Sequence, residues 1–257
     1  MRAAEFINLV FFLFLTVLAL LRPLPAGKRK RAAAIGGAGI CLIGAALNIG
    51  RLLHPLAASV IRDWLPSILL LMVYWQAGQF FIEPWKAFQC WLLRLDQKLM
   101  SPWFEWLGDK PGRGWIVCYG ELAYFFCYIM VPLGLGVIYL FHMGNYADRF
   151  WKAVLPPTYI CYVMVPFFQT LPPRVLEPQQ KEGRDISRLR LLNLWILRNG
   201  SIHANTFPSA HVAASVATAL ALFPIAPIAA SIFLWTAVSI ASSSANRFLL
   251  PPNSARR

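Results

Sequence analysis

The sequence is short of charge, and shorter still of acid. Only 14% of its residues are charged, and 11 carboxylates stand against 24 lysines and arginines in 257 residues. A soluble domain of that length needs a far more polar coat, so a soluble globular class is excluded. Metal-ligand patterns are missing too. The five cysteines (Cys41, Cys90, Cys118, Cys127, Cys161) have no ligand spacing and fall mostly in apolar runs, where buried free thiols are the default. No metal or cofactor is expected. A Gly-x-Ser-x-Gly elbow is absent, which argues against a serine nucleophile. There is no internal repeat and no low-complexity linker, and no paired half-helix repeat of the kind transporters use.

What is present is apolar sequence. Mean hydropathy is +0.55 and 58% of residues are hydrophobic. Charge-poor runs cover Phe6–Leu21, Ala32–Gly50, Trp64–Ile82, Leu122–Phe141, Ala153–Pro173 and Val212–Asn246. A span takes about 20 apolar residues. The first run is followed, not preceded, by its basic cluster and lacks a small-x-small cleavage site, so a retained span is expected. The last run would reach roughly 52 Å as one helix, against a hydrocarbon core of about 30 Å. Pro224 and Pro227 sit near its middle, where a helix breaks, so it reads as a hairpin with arms Phe207–Phe223 and Ile225–Ser243. The expectation is an all-α, polytopic membrane helix bundle of about seven spans, multi-pass in a bacterial inner membrane. It forms one integrated domain, with N-terminal spans and an interfacial helix in 1–113 and a core in 114–257. On the second span Ala33, Gly37, Cys41 and Ala45 repeat every four residues and predict a close helix contact. Arg62 and Asp63 are expected to pair with each other where the third span begins.

The net charge of +13 gathers in the connections, most densely at Arg22, Lys28, Arg29, Lys30 and Arg31. Basic loops of this kind stay cytoplasmic and touch anionic lipid. Nucleic acid is not an expected partner, because no soluble domain presents a surface for it. Glu83–Met100 and Asp185–Arg198 mix Trp and Leu with basic residues and read as interfacial helices lying on the bilayer. Counting all seven spans puts Lys28–Arg31 and the connection Pro172–Phe207 on one side. Dropping the glycine-rich second span puts them on opposite sides, and the charge rule alone leaves both open.

The most informative segment is Ala204-Asn205-Thr206-Phe207-Pro208-Ser209-Ala210-His211-Val212, with a polar corner where a long apolar run starts. A helix start offers unpaired N–H groups and a positive dipole end, and His211 adds a proton or a donor. The connection from Arg174 to Phe207 does not cross, so Arg174 and His211 share one face. The hairpin returns the chain to that face and brings Arg247 with it. Guanidinium forks beside a helix start suit the oxygens of a phosphate ester head group. Glu121 is an ionisable group inside a span, a position that favours the bundle interior, and Tyr124 and Tyr128 share its helix face. Glu121 reads either as a neutral group bonded to a neighbouring helix or as a partner orienting the arginine or histidine groups. His54 and His142 sit in short connections and suggest no chemistry; His203 reads either as a substitute base or, as loop histidines usually are, as incidental.

Pro208-Ser209-Ala210-His211 resembles the Pro-Ser-x-His element of the type-2 phosphatidic acid phosphatase and vanadium haloperoxidase superfamily. Gln169-Thr170-Leu171-Pro172-Pro173-Arg174 is similar to the first element of its subgroup containing inositol-phosphorylceramide synthases, and Arg247 matches the arginine of the third. The resemblance covers the chain from about Gly114 onward. It implies a lipid-phosphate phosphatase or phosphotransferase acting through a phosphohistidine, with a lipid phosphate as substrate. His211 would protonate the leaving alkoxide. Arg174, Arg247, the Ser209 hydroxyl and the N–H groups near Ala210 would hold the equatorial oxygens. The third element departs from the pattern. Leu249 stands where the nucleophilic histidine belongs, Asn253 where its aspartate partner belongs, and Leu250-Pro251-Pro252 would break the helix expected there. The expectation is a truncated or altered carboxy terminus, an incomplete catalytic set and little turnover. The alternative is a non-catalytic lipid-head-group binding or scaffold protein that keeps the phosphate cradle.

Overall fold

The computed structural model describes residues 1–107, 113–171, 188–202, 204 and 207–246. Nine helices follow one another among these residues: α1 (Ala3–Leu21), α2 (Ala26–Asn48), α3 (Pro55–Gly78), α4 (Lys86–Leu107), α5 (Arg113–Leu140), α6 (Ala147–Met164), α7 (Arg188–Gly200), α8 (Ala210–Leu222) and α9 (Pro227–Asn246). Their starts follow local chemistry. The Glu5 carboxylate accepts from the Arg2 N–H at 2.7 Å and caps α1. Pro55 and Pro227 open α3 and α9, where a missing N–H does no harm. The apolar run after Phe207 is indeed broken, with residues 223–226 between α8 and α9.

Hydrogen bonds between helices define two ends of the bundle. At the distal end the start of α1 meets the first turns of α3: the Arg62 guanidinium grips Glu5 at 2.6 and 2.8 Å, and Arg2 pairs with Asp63. The end of α5 joins them, its Tyr139 hydroxyl donating to Asp63 at 2.7 Å, and Asp148 at the start of α6 accepts from the Ala4 N–H at 3.0 Å. At the opposite end, the loop end, Arg22 after α1 donates to the Pro166 carbonyl after α6 at 2.8 Å. Helices α1, α2, α3, α5, α6, α8 and α9 therefore run alternately between the two ends. Helix α4 leaves the loop end and leads, through residues 108–112, into α5, which starts at that same end.

The core sits around α6. Trp151, Tyr159, Phe150, Val154 and Leu155 are buried, facing α1 and α3 on one side and α8 on the other. Some deep polar groups bond across helices. Tyr159 donates to Asn8 at 2.5 Å, and the Gln76 amide of α3 donates to Thr16 of α1 at 2.9 Å and to the Ala32 carbonyl of α2 at 3.1 Å. The outward faces are apolar, with Leu20, Ile68, Leu133, Ile160, Leu220 and Ile232 exposed. Helix α1, Ala26–Arg51, α3 and Cys118–Leu140 are each long and apolar enough to cross a bilayer. An apolar exterior of this extent belongs in lipid, and the chain is an integral membrane protein with an all-α fold.

Three sequence expectations need correction. The small-residue stripe of α2 lies one position away. Ala32, Gly36, Gly39, Ile43 and Ala46 are buried, whereas Gly37, Cys41 and Ala45 are exposed. Alternating steps of four and three hold one face of a 3.6-residue helix, while repeated steps of four drift off it. Arg62 and Asp63 do not pair with each other. Neighbouring helical residues point about 100° apart, so Arg62 reaches Glu5 of α1 while Asp63 reaches Arg2 just before it. Helix α6 ends at Met164, before the Pro173 limit read from the sequence, because Pro166 has no N–H to continue the hydrogen-bond ladder and its ring crowds the carbonyl four residues before it.

Candidate anion site

Ser209 ends the connection at the loop end and caps α8. Its backbone is extended, and its hydroxyl accepts from the Val212 N–H at 3.5 Å. The next residue, Ala210, is buried and begins the helix, so the first-turn N–H groups gather beside the Ser209 hydroxyl. His211 lies in that first turn. Its ring meets Tyr128 of α5 edge to face, with centroids 5.7 Å apart.

Tyr128 begins a column along α5. It stands edge-on to Tyr124 at 5.6 Å, and one turn further toward the helix start lies the buried Glu121. Glu121 meets α7. Asn193 donates to the Glu121 carboxylate at 2.7 Å and to its backbone carbonyl at 2.9 Å, and the Arg190 guanidinium lies 3.8 Å from the carboxylate. Neither Asn193 nor Arg190 was singled out from the sequence. The signal was there: Arg190, Asn193 and Leu197 are spaced three and four apart, one face of α7, and an asparagine on a face that is buried asks for a partner.

On the other flank, α9 is tied to α5 by a 2.6 Å hydrogen bond between the Ser239 and Tyr119 hydroxyls. Asn246 ends α9 at the loop end, one residue before Arg247. Arg174 and Arg247, the two guanidinium groups expected to hold phosphate, lie outside the described residues, as do His203, Leu249 and Asn253. The described residues thus bring together Ser209, Ala210, His211, Tyr128, Tyr124 and Glu121. They also include no group of three His, Cys, Asp or Glu side chains placed to hold a metal.

The basic cluster falls at the same end. Trp75 at the end of α3 donates to the Gly200 carbonyl at 2.9 Å, and the Ile202 N–H donates to the Tyr74 hydroxyl at 3.1 Å. Lys28 at the start of α2 binds the Phe81 carbonyl. Lys28, Arg31, Trp75 and Ile202 line one open cleft of about 560 Å³. Because α2 traverses the bundle, Lys28–Arg31 and the Ser209–His211 corner share an end.

These features define a membrane helix bundle with a polar, cation-rich corner at one end. Residues 90–245 match the model of the PAP2 superfamily, and the chain belongs to that superfamily. The match begins within α4 and runs through α9, and it agrees with the Pro-Ser-x-His resemblance at the level of the superfamily. No curated protein and no solved structure matches the chain.

Proposed function

We propose that this chain is a lipid-phosphate protein of the PAP2 superfamily, of the inositol-phosphorylceramide-synthase-like subgroup, that binds a phosphate ester head group at the loop end. The observation that carries the reading is the Ser209-capped start of α8 with His211 in its first turn, packed on Tyr128. Helix-start N–H groups and an imidazole recognise an anionic tetrahedral group, and Arg174 and Arg247 supply fixed positive charge. Glu121 keeps Asn193 and Arg190 in place beneath the Tyr124–Tyr128 column, which in turn sets the His211 ring. All seven alternating helices cross the bilayer. The basic cluster at the loop end is taken as cytoplasmic, in keeping with the charge rule, and the anion site with it.

In the superfamily pattern a histidine of the third element attacks phosphorus. Leu249 has no lone pair, so the chain binds the phosphate and turns it over slowly or not at all. Two measurements on protein in lipid nanodiscs test this. Orthovanadate titration should show binding, and His211→Ala should weaken it by about 10- to 100-fold, the loss of one charge-assisted hydrogen bond. Phosphate release from phosphatidate should stay near background. Absence of vanadate binding would remove the anion site. Turnover at the rate of a superfamily member with the complete third element would remove the incomplete-set reading.

A further inference from the structure

We propose that Phe88 and Gln89, adjacent residues in the first turn of α4, are positioning residues that hold the two motif-bearing segments at a fixed separation. The proposal rests on the anion-site reading above. Residues 169–171 lead to Arg174, and residues 207–209 lead to His211. Helix α4 grips both.

The first grip is made of hydrogen bonds. Gln89 is buried at 8% exposure. Its amide is used twice on one residue, the Leu171 N–H donating to Oε1 at 2.7 Å and Nε2 donating to the Leu171 carbonyl at 3.1 Å. The chain is also held just upstream. The Trp85 N–H donates to the Gln169 carbonyl at 2.8 Å, and the Gln169 side chain accepts from the Ile82 N–H at 2.7 Å and the Glu83 N–H at 3.2 Å. A glutamine amide aligned with a backbone in this way fixes both position and orientation, as a short strand pairing would. The second grip is aromatic. The Phe88 ring lies 5.2 Å from Phe168 and 5.5 Å, edge to face, from Phe207. Phe88 thus touches the second segment at Phe207 and, at Phe168, the residue just before the first, while its neighbour Gln89 fixes the first segment against the same helix turn.

Placing two anion-holding groups correctly is worth as much as having them, because a displaced guanidinium or imidazole no longer shares the anion. Gln89 and Phe88 do not reach the phosphate; they act through Leu171 and Phe207. The brace also stands on exposed Trp85 and Trp91, which suit the head-group layer.

The test uses Gln89→Met, which keeps side-chain length and volume and loses both hydrogen bonds. In nanodiscs, its orthovanadate dissociation constant should rise about tenfold, the usual effect of removing a group that orients a ligand-holding residue. Gln79→Met, another loop-end amide with no bond to either segment, should leave that constant unchanged. Amide hydrogen exchange gives a readout that needs no anion. Gln89→Met and Phe88→Ala should each speed exchange in both 169–171 and 207–212, whereas a purely local role for Gln89 would touch 169–171 alone. Unchanged vanadate affinity in Gln89→Met, equal loss in Gln79→Met, or exchange confined to 169–171 would overturn the brace. A wild-type chain that binds no vanadate yet shows coupled exchange would keep the brace and reject the anion site instead.

Discussion

Among the described residues, the two ends of the bundle hold the cations that tie helices together in different ways. At the distal end, Arg2 and Arg62 find carboxylates on other segments: Arg2 pairs with Asp63, and Arg62 with Glu5. At the loop end, cations settle on neutral oxygens and rings. Arg22 bonds the Pro166 carbonyl and lies 4.6 Å above the Phe167 ring, and Lys28 bonds the Phe81 carbonyl. Arg190, which has Glu121 at 3.8 Å, is the partial exception. A carboxylate cancels a cation's field, whereas a carbonyl orients the cation and leaves its charge in place. The distal ion pairs are therefore a clasp, whereas the contacts of Arg22 and Lys28 leave their positive charge in place for a negative ligand or lipid surface.

The largest expected effect breaks the clasp. Asp63 collects helices α1, α3, α5 and α6: its carboxylate takes Arg2 and Tyr139, and its carbonyl accepts from the Trp151 indole at 2.8 Å. Asp63→Ala leaves a guanidinium and a phenol without their acceptor, at a cost of about 3 kcal/mol. Thermal unfolding in detergent should show that loss, while vanadate affinity of the folded fraction stays at the wild-type value. Loss of affinity without loss of stability would mean the two ends are not separate in function.

A smaller effect asks whether packing, and not charge alone, holds the two ends in line. A side chain at Gly39 would overlap the Phe12 ring of α1, and one at Gly36 would overlap Thr16 and Gln76; at Gly37 it would meet nothing within 4 Å. Gly39→Leu should destabilise by about 2 kcal/mol through overpacking, and Gly37→Leu should be near neutral. Chemical denaturation of both variants checks the difference.

That pair of glycines also marks the limit of sequence reading. The existence of the apolar helices, the α8–α9 break and the Ser209 helix start were legible, because run length, proline and capping chemistry are local. Which face of α2 is buried was not, since α2 is rich in small residues all round and its contrast is weak. The partners of Arg62 and Asp63 lie 57 and 61 residues away at the start of α1 and 76 residues away on α5, and no local pattern names them. At the site, the corner of Ser209, Ala210 and His211 was readable as a motif, and Glu121 with Tyr124 and Tyr128 as one helix face. What they touch depends on how α7 and α8 dock on α5. Asn193 and Arg190 enter only through that docking, and Gln89 only through the fold of residues 165–171 back onto α4.

The smallest expected effect probes the uncancelled charge itself. Lys30 and Arg31 are exposed at the loop end, and neither is among the residues assigned to hold the anion. Replacing both, Lys30→Gln with Arg31→Gln, removes two charges without disturbing a partner. The stability change should fall within about 0.5 kcal/mol, as for most surface substitutions. Vanadate affinity should drop by about twofold at 10 mM salt, where charge reaches roughly 30 Å, and by nothing measurable at 1 M, where it reaches about 3 Å. Replacing Arg2 and Arg62 at the distal end would not be equivalent, because each is already paired with a carboxylate. A salt-independent loss would mean that Lys30 or Arg31 touches the anion directly, and that the contrast between the ends is one of contact and not of field.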